Sequence, residues 1–275
     1  MPRLIVNADD FGAGFGTDRG ILHAFTHGIV TSASLLVNAP HAKEAVRMAL
    51  DAGLPLGVHL NLADGFALSG PISGLTRANG AFPGKRDLRQ ILQTVPDLRA
   101  IRRELAAQID RALELGVRPD HLDTHQHFFL FPQMTELVLD LADTYRIPAV
   151  RLPLPVEDPA ADPDGELGEE MRLYRRLGPK AARAIRAREK RSPRGLFGMP
   201  ALDRLDEAVL GRIVDRIPDG DWELMVHPGY RDLDNPFGGE ERQLELQALL
   251  SRRIRDRLQQ RNIRLITFGD LTCTC

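Results

Sequence analysis

Four side chains able to bind a metal ion or carry a proton recur at every second position in Asp120-His-Leu-Asp-Thr-His-Gln-His127: His121, Asp123, His125 and His127. A strand places alternate residues on one face, so part of this row would point into one cavity. Burying such a row without a partner is costly. A metal ion is the partner that neutral imidazole and carboxylate usually take. A polar edge strand or a solvated loop is the plainer reading of the same stretch. Related chemistry stands elsewhere: Asp9 and Asp10 after Leu4-Ile-Val6, His59 within Leu56-Gly-Val-His-Leu-Asn61, Arg151 after Ala149-Val150, and His227 after Trp222-Glu-Leu-Met-Val226. Taken singly, Asp9-Asp10 reads as a turn with a capping acid, His59 as a satisfied core histidine, His227-Pro-Gly-Tyr230 as a turn and Arg151 as a buried ion-pair partner.

These groups need elements to position them. Short apolar runs predict parallel strands over Arg3–Asn7, Gly28–Val37, Leu56–Asn61, Asp120–His127, Ala149–Leu152, Trp222–Val226 and Ile263–Ile266. Helical spacing predicts helices from about Thr17 (capped by Thr17 or Asp18), over His41–Ala52 closed by Gly53, Leu98–Leu115, Pro132–Tyr145, Leu205–Ile217 and Glu240–Gln260. Alternation of strand and helix implies a parallel sheet, either open and doubly wound or closed as a barrel. The barrel is favoured because Asp9, Asp10, His59, His125, Arg151 and His227 all fall at strand ends, and only a barrel gathers those ends at one mouth. Asn7 with Asp9, Gly57 with His59, Asp123 with His125 and Met225 with His227 can share the inward face. The chain is expected to form one domain over residues 1–275, interrupted by insertions at about 63–96 and 153–202; the first is too long for an ordinary connection and should cover something.

Composition excludes other classes. The 275 residues are 43% hydrophobic and 27% charged, with a net charge of −2. That is a globular composition without a nucleic-acid footprint. Met1-Pro-Arg3 leads directly into an apolar strand with no signal peptide, and no run is long enough to span a membrane, so a cytoplasmic location is expected. Cys273 and Cys275 form a bland tail rather than a disulfide framework.

Asn7-Ala-Asp-Asp-Phe-Gly12, Gly28-Ile-Val-Thr-Ser-Ala-Ser34, Leu56-Gly-Val-His-Leu-Asn61, Asp123-Thr-His-Gln-His127 and Val226-His-Pro-Gly229 together resemble the YdjC-like carbohydrate deacetylases. That family includes the chitooligosaccharide deacetylase and a branch associated with hopanoid biosynthesis. The resemblance covers nearly the whole chain. It implies a distorted (β/α) barrel of about seven parallel strands, related to the polysaccharide deacetylases, one divalent metal ion, and removal of acetyl from an N-acetylated amino sugar. It further implies Asp10, His59 and His125 as metal ligands, Asp9 as general base and His227 as candidate acid. Gln126 is a departure, since the chitooligosaccharide enzyme has a histidine there. The position neighbours a ligand rather than replacing one, so the departure bears on the sugar and not on the metal.

The chemistry agrees with that reading. Amide hydrolysis at neutral pH needs an activated water, and Zn²⁺, or Mg²⁺ with more waters, would supply one. Arg151 would orient Asp9 or bind a sugar oxygen; His127 and Asp123 would hold a ligand in place or touch substrate. A metal-dependent phosphoesterase or a non-catalytic sugar-binding barrel are the alternatives, the first disfavoured because no strand end besides that of Arg151 supplies a cation for phosphate. A homodimer is the default assembly. Within the second insertion, Leu173, Leu177, Ala181, Ala184 and Ile185 recur at helical spacing with Arg and Lys between them. This predicts either a solvated helix packed by a short apolar stripe or a lid whose basic residues, including Arg183, Arg186 and Lys190, meet anionic membrane.

Overall fold

Apolar runs too short for helices pair side by side, and the amphipathic segments between them pack outside. The computed structural model describes residues 1–94, 96–232 and 238–272; Cys273 and Cys275 lie outside the described residues. The elements are β1 (Pro2–Phe11), α1 (Phe15–His27), β2 (Ser32–Leu35), α2 (Ala42–Ala52), β3 (Leu56–Leu60), α3 (Lys85–Leu92), α4 (Leu98–Glu114), β4 (His121–Thr124), α5 (Pro132–Thr144), β5 (Ala149–Val150), α6 (Glu166–Ala187), β6 (Leu196–Phe197), α7 (Glu207–Arg216), β7 (Gly220–Val226), α8 (Glu240–Leu250), α9 (Arg252–Gln260) and β8 (Arg264–Leu265). The strands are parallel in the order β5-β4-β3-β2-β1-β7-β6, with β8 also on β1.

The sheet is curled, and Arg151 proves it. Just beyond β5, at one edge, its Nε lies 2.8 Å from Glu223 Oε1 on β7. In a flat sheet those two strands would stand roughly 24 Å apart, five spacings of about 4.8 Å, which an arginine cannot reach. Pro155 and Leu196 bridge the two edges. The barrel expected from sequence is therefore the fold.

Several boundaries differ from expectation. The 120–127 stretch is a strand only to Thr124; a 3₁₀ turn takes over at His125, and Gln126 and His127 have φ of 59° and 53°. The alternating row therefore breaks, and His121 and Asp123 alone keep the strand's parity. β6 is too short to carry a periodic signal. The expected helix over 240–260 is broken at Ser251, which is extended and accepts from Arg253 N. α1 begins two residues before Thr17, and Asp18 instead accepts the Gly12 amide at 2.6 Å. Gly53 closes α2 in the left-handed region, as predicted.

The barrel interior is polar near its axis. Asn7 Nδ2 donates to Asp9 (2.9 Å) and Ser34 (2.8 Å); Ser34 Oγ meets His121 Nε2 at 3.1 Å. His121 stacks on Phe268 with ring centres 3.6 Å apart. Gly57 makes room for it: a Cβ there would lie 2.3 Å from the imidazole. No described helix is long and apolar enough to cross a membrane.

Candidate active site

Successive strand residues point to opposite faces, so Asp9 and Asp10 should not reach one cavity. They do because β1 breaks register between Ala8 and Phe11 and Asp10 takes φ of 65°. A bulge re-aims a side chain in this way. His59 arrives from β3, His125 from the 3₁₀ turn and His227 from the end of β7. Asp9, Asp10, His59, His125, His127 and His227 all line one cavity of about 310 Å³.

Three donor atoms form a triangle. His125 Nδ1 lies 3.1 Å from Asp10 Oδ1, His59 Nε2 lies 3.6 Å from the same oxygen, and the two nitrogens are 3.3 Å apart. Ligands held tetrahedrally at 2.0–2.1 Å from a metal are about 3.3 Å from one another. Asp10 Oδ1 is buried and accepts no hydrogen bond, so its lone pairs face the triangle unused. The residues present fit a divalent cation. Asp9, His59 and Asp123 form a second cluster of ligand-type atoms, but Arg151 lies within 2.7 Å of both its carboxylates, and that fixed charge opposes a second cation.

Partners behind the triangle fix which nitrogen faces it. Asp123 Oδ2 lies 2.9 Å from His59 Nδ1, leaving Nε2 toward Asp10. Asp64 Oδ2 lies 2.9 Å from His125 Nε2, leaving Nδ1 inward. Such partners set the tautomer of a ligating imidazole. Burial would raise Asp10, but His125 outweighs it and holds the carboxyl well below its usual range. Burial would lower His125, but Asp10 raises it to about 10.

Arg151 lies beneath the cavity. Its NH1 and NH2 donate to the two oxygens of Asp9 at 2.7 and 2.6 Å, NH1 lies 2.7 Å from Asp123, and Nε donates to Glu223. Burial would raise the Asp9 carboxyl, but Arg151 and His59 hold it below its ordinary value. Burial pushes Glu223 up to about 7 despite Arg151. Of the two roles left open for Arg151, this geometry fits orientation of Asp9. His227 is pushed down to about 4 by burial and Arg242, and its backbone amide donates to Glu245 at 2.7 Å. Burial and Arg151 push His127 down to about 3; its ring meets Tyr174 edge-on at 5.4 Å.

Sequence reasoning missed Glu223, Asp64, Lys85, Glu170 and Tyr174. Glu223 carried a usable signal: an acid inside an apolar strand, with the inward parity of Met225. Asp64 opens an irregular segment and carried none. In the second insertion, α6 packs on α5, and Leu167, Glu170, Met171 and Tyr174 wall the cavity. Its expected basic face is corrected at Lys190, whose ammonium pairs with Asp143 of α5 at 2.8 Å. Arg188 pairs with Glu136, Asp140 and Asp143.

The chain has full-length relatives among known proteins. A carbohydrate deacetylase of Geobacillus stearothermophilus is 33% identical, the match covering 98% of either chain. A chitooligosaccharide deacetylase of Proteus mirabilis is 31% identical with the same coverage. A crystal structure from Enterococcus faecalis, of a protein provisionally assigned to cellobiose-phosphate cleavage, is similar with a TM-score of 0.75 and 23% identity over 97% of each chain, a likeness of fold. The family model described as YdjC-like protein matches residues 3–260. Motifs, fold and full-length relatives therefore agree, and the chain belongs to the YdjC-like family.

Proposed function

We propose that the protein is a metal-dependent deacetylase that removes the acetyl group from an N-acetylated amino sugar. The observation that carries this is the donor triangle of Asp10, His59 and His125 beside an Asp9 fixed by Arg151, in a chain whose relatives are named carbohydrate deacetylases. Two imidazoles and one carboxylate favour Zn²⁺ over Mg²⁺. When bound there, the ion supplies Lewis acidity, lowering the pKa of a water and polarising a carbonyl.

The chain's own residues supply the rest. Arg151 grips both oxygens of Asp9, so the carboxylate is ionised and aimed. Asp9 takes the proton of the attacking water. Asp123 and Asp64 keep the ring nitrogens of His59 and His125 turned inward. His227 lies in the cavity wall and rests neutral. Negative charge developing on the acetyl group raises its proton affinity, so that it takes up a proton from solvent and passes it to the departing nitrogen, while Asp9 returns the water's proton to solvent. The cavity's cations are already matched: Lys85 by Glu170 at 2.7 Å and Arg242 by Asp203 at 3.6 Å. That balance suits a neutral amide better than a phosphate ester.

The test is acetate release from a panel of soluble chitooligosaccharides and a lipid-linked N-acetyl amino sugar, with and without chelator. Chelator-sensitive acetate release from one panel member supports the proposal; phosphate release from matched phosphoesters, or neither product, overturns it. His59→Ala should lose most bound metal, read by elemental analysis, while its circular dichroism is unchanged.

A further inference from the structure

The two insertions meet over the cavity. α3 comes from the first and α6 from the second. Arg89 on α3 donates through NH1 to Glu170 Oε1 at 2.7 Å and through NH2 to Tyr174 Oη at 2.8 Å, both on α6. Lys85, one turn earlier, lies 2.7 Å from the same Glu170 oxygen. Tyr174 donates onward to the carbonyl of Gln126 at 3.5 Å, in the turn that carries His125 and His127, and its ring meets His127. Lys85, Glu170 and Tyr174 line the cavity; Arg89 does not. Tyr174 is 1% exposed and Glu170 7%.

We propose that Arg89 is a positioning residue that fixes the substrate-facing wall and thereby governs how tightly the sugar is held. The proposal rests on reading this cavity as the sugar site. A guanidinium presents its donors in a rigid fork, so one side chain can hold a carboxylate and a phenol at once; an ammonium cannot do so with the same geometry. The fork sets where Glu170 and Tyr174 stand relative to Lys85 and the 125–127 turn. A buried carboxylate beside an ammonium offers a sugar both an acceptor and a donor, and Met171 and Leu167 offer it an apolar surface. These contacts touch the ring rather than the reacting carbonyl. They bind ground state and transition state alike, which is the definition of a term that appears in KM and not in kcat.

Arg89→Met keeps much of the apolar stem and removes the fork. Its KM for the substrate found in the acetate panel should rise on the order of 10- to 100-fold, the scale of one or two lost hydrogen bonds to charged groups. Its kcat should change less than about threefold, with metal content unaltered. Tyr174→Phe removes a single hydroxyl and should raise KM in the same sense by less. Hydrogen exchange supplies a readout independent of turnover: in substrate-free Arg89→Met, amides of Glu166–Ala187 should exchange faster at an unchanged melting temperature. A fall in kcat at constant KM, or kinetics equal to wild type, overturns the proposal. So does unaltered exchange over Glu166–Ala187, whatever the activity. Should wild type release no acetate at all, the deacetylase reading fails, and the exchange comparison alone decides whether Arg89 joins the insertions.

Discussion

Arg151→Met removes the guanidinium shared by Asp9, Asp123 and Glu223 while keeping much of the apolar stem. Arg151 is 1% exposed, and its nitrogens lie 2.6 to 2.8 Å from the three carboxylates. Removing one partner of a buried ion pair costs about 3–5 kcal/mol, because the other charge is left without compensation. Domains are stable by about 5–15 kcal/mol in total, so the variant should fold but marginally. The loss should depend on pH, and its sign can be worked out. In the native protein Asp9 and Asp123 lie below their ordinary values because Arg151 outweighs burial; they stabilise above the unfolded-state pKa, and this is lost as pH falls through the folded one. Without Arg151, burial is opposed only by His59, and at Asp123 also by His121, and it should lift both carboxyls toward or above their ordinary values. The native state of the variant then holds protons that the unfolded chain releases, so its stability falls as pH rises. Glu223, raised to about 7 even beside Arg151, is raised further without it and adds to this in the same sense. Urea denaturation in chelator at pH 5.5, 7 and 8 should show a deficit of about 3–5 kcal/mol at pH 8 that shrinks toward pH 5.5. Arg151→Met/Glu223→Gln should recover about 1 kcal/mol or more at pH 8 by removing one orphaned charge. A deficit below about 1 kcal/mol at pH 8, or one equal at every pH, would refute the shared-charge account.

Asp9→Asn should bind metal near the wild-type level and lose roughly 10²–10⁴ in rate, measured by acetate release; loss of metal instead would make Asp9 a ligand. Gly57→Ala places a methyl against the His121 ring and should cost about 1–3 kcal/mol in urea denaturation; a neutral result would mean that His121 and Phe268 can shift together. The face of α6 turned from the barrel exposes Arg172, Arg176, Lys180, Arg183 and Arg186. It should give salt-sensitive sedimentation with anionic but not neutral vesicles, lost in Arg183→Glu/Arg186→Glu; sedimentation with neither at low salt would sink the membrane idea.

The barrel was legible because it follows from arithmetic on strand ends: Asp10, His59, His125 and His227 sit where apolar runs stop, and parallel strands bring those stops together. Glycine just past a helix end and proline at a helix start behaved as local chemistry dictates, at Gly53 and Pro132. The turns that aim the site were not legible. Alternation predicts Asp10 and Asp9 on opposite faces, which left-handed backbone at Asp10 overrides; it predicts His125 and His127 on one strand face, and they reach one cavity instead through a turn with left-handed backbone at Gln126 and His127. Supporting partners were equally hidden. Asp64 serves His125 from an irregular segment, and Arg89 reaches Glu170 across 81 positions of sequence, a pairing for which one chain has no periodic signature. α6 was read correctly as a helix, but only packing tells that its first half walls the cavity while Arg188 and Lys190 grip α5.

The first strand pairs with nearly the last. One edge of β1 is completed by β7, at Gly220–Val226. On a ribosome moving at about 5–20 residues per second, roughly 10–40 s separate the emergence of the two. During that interval the strand bearing Asp9 and Asp10 has its β2 neighbour and no β7 neighbour. An apolar edge then stands open in the nascent chain, the condition that invites mispairing and the attention of chaperones. Synthesis must therefore be almost complete before the barrel can close, and a chain truncated before residue 220 would keep that edge unpaired.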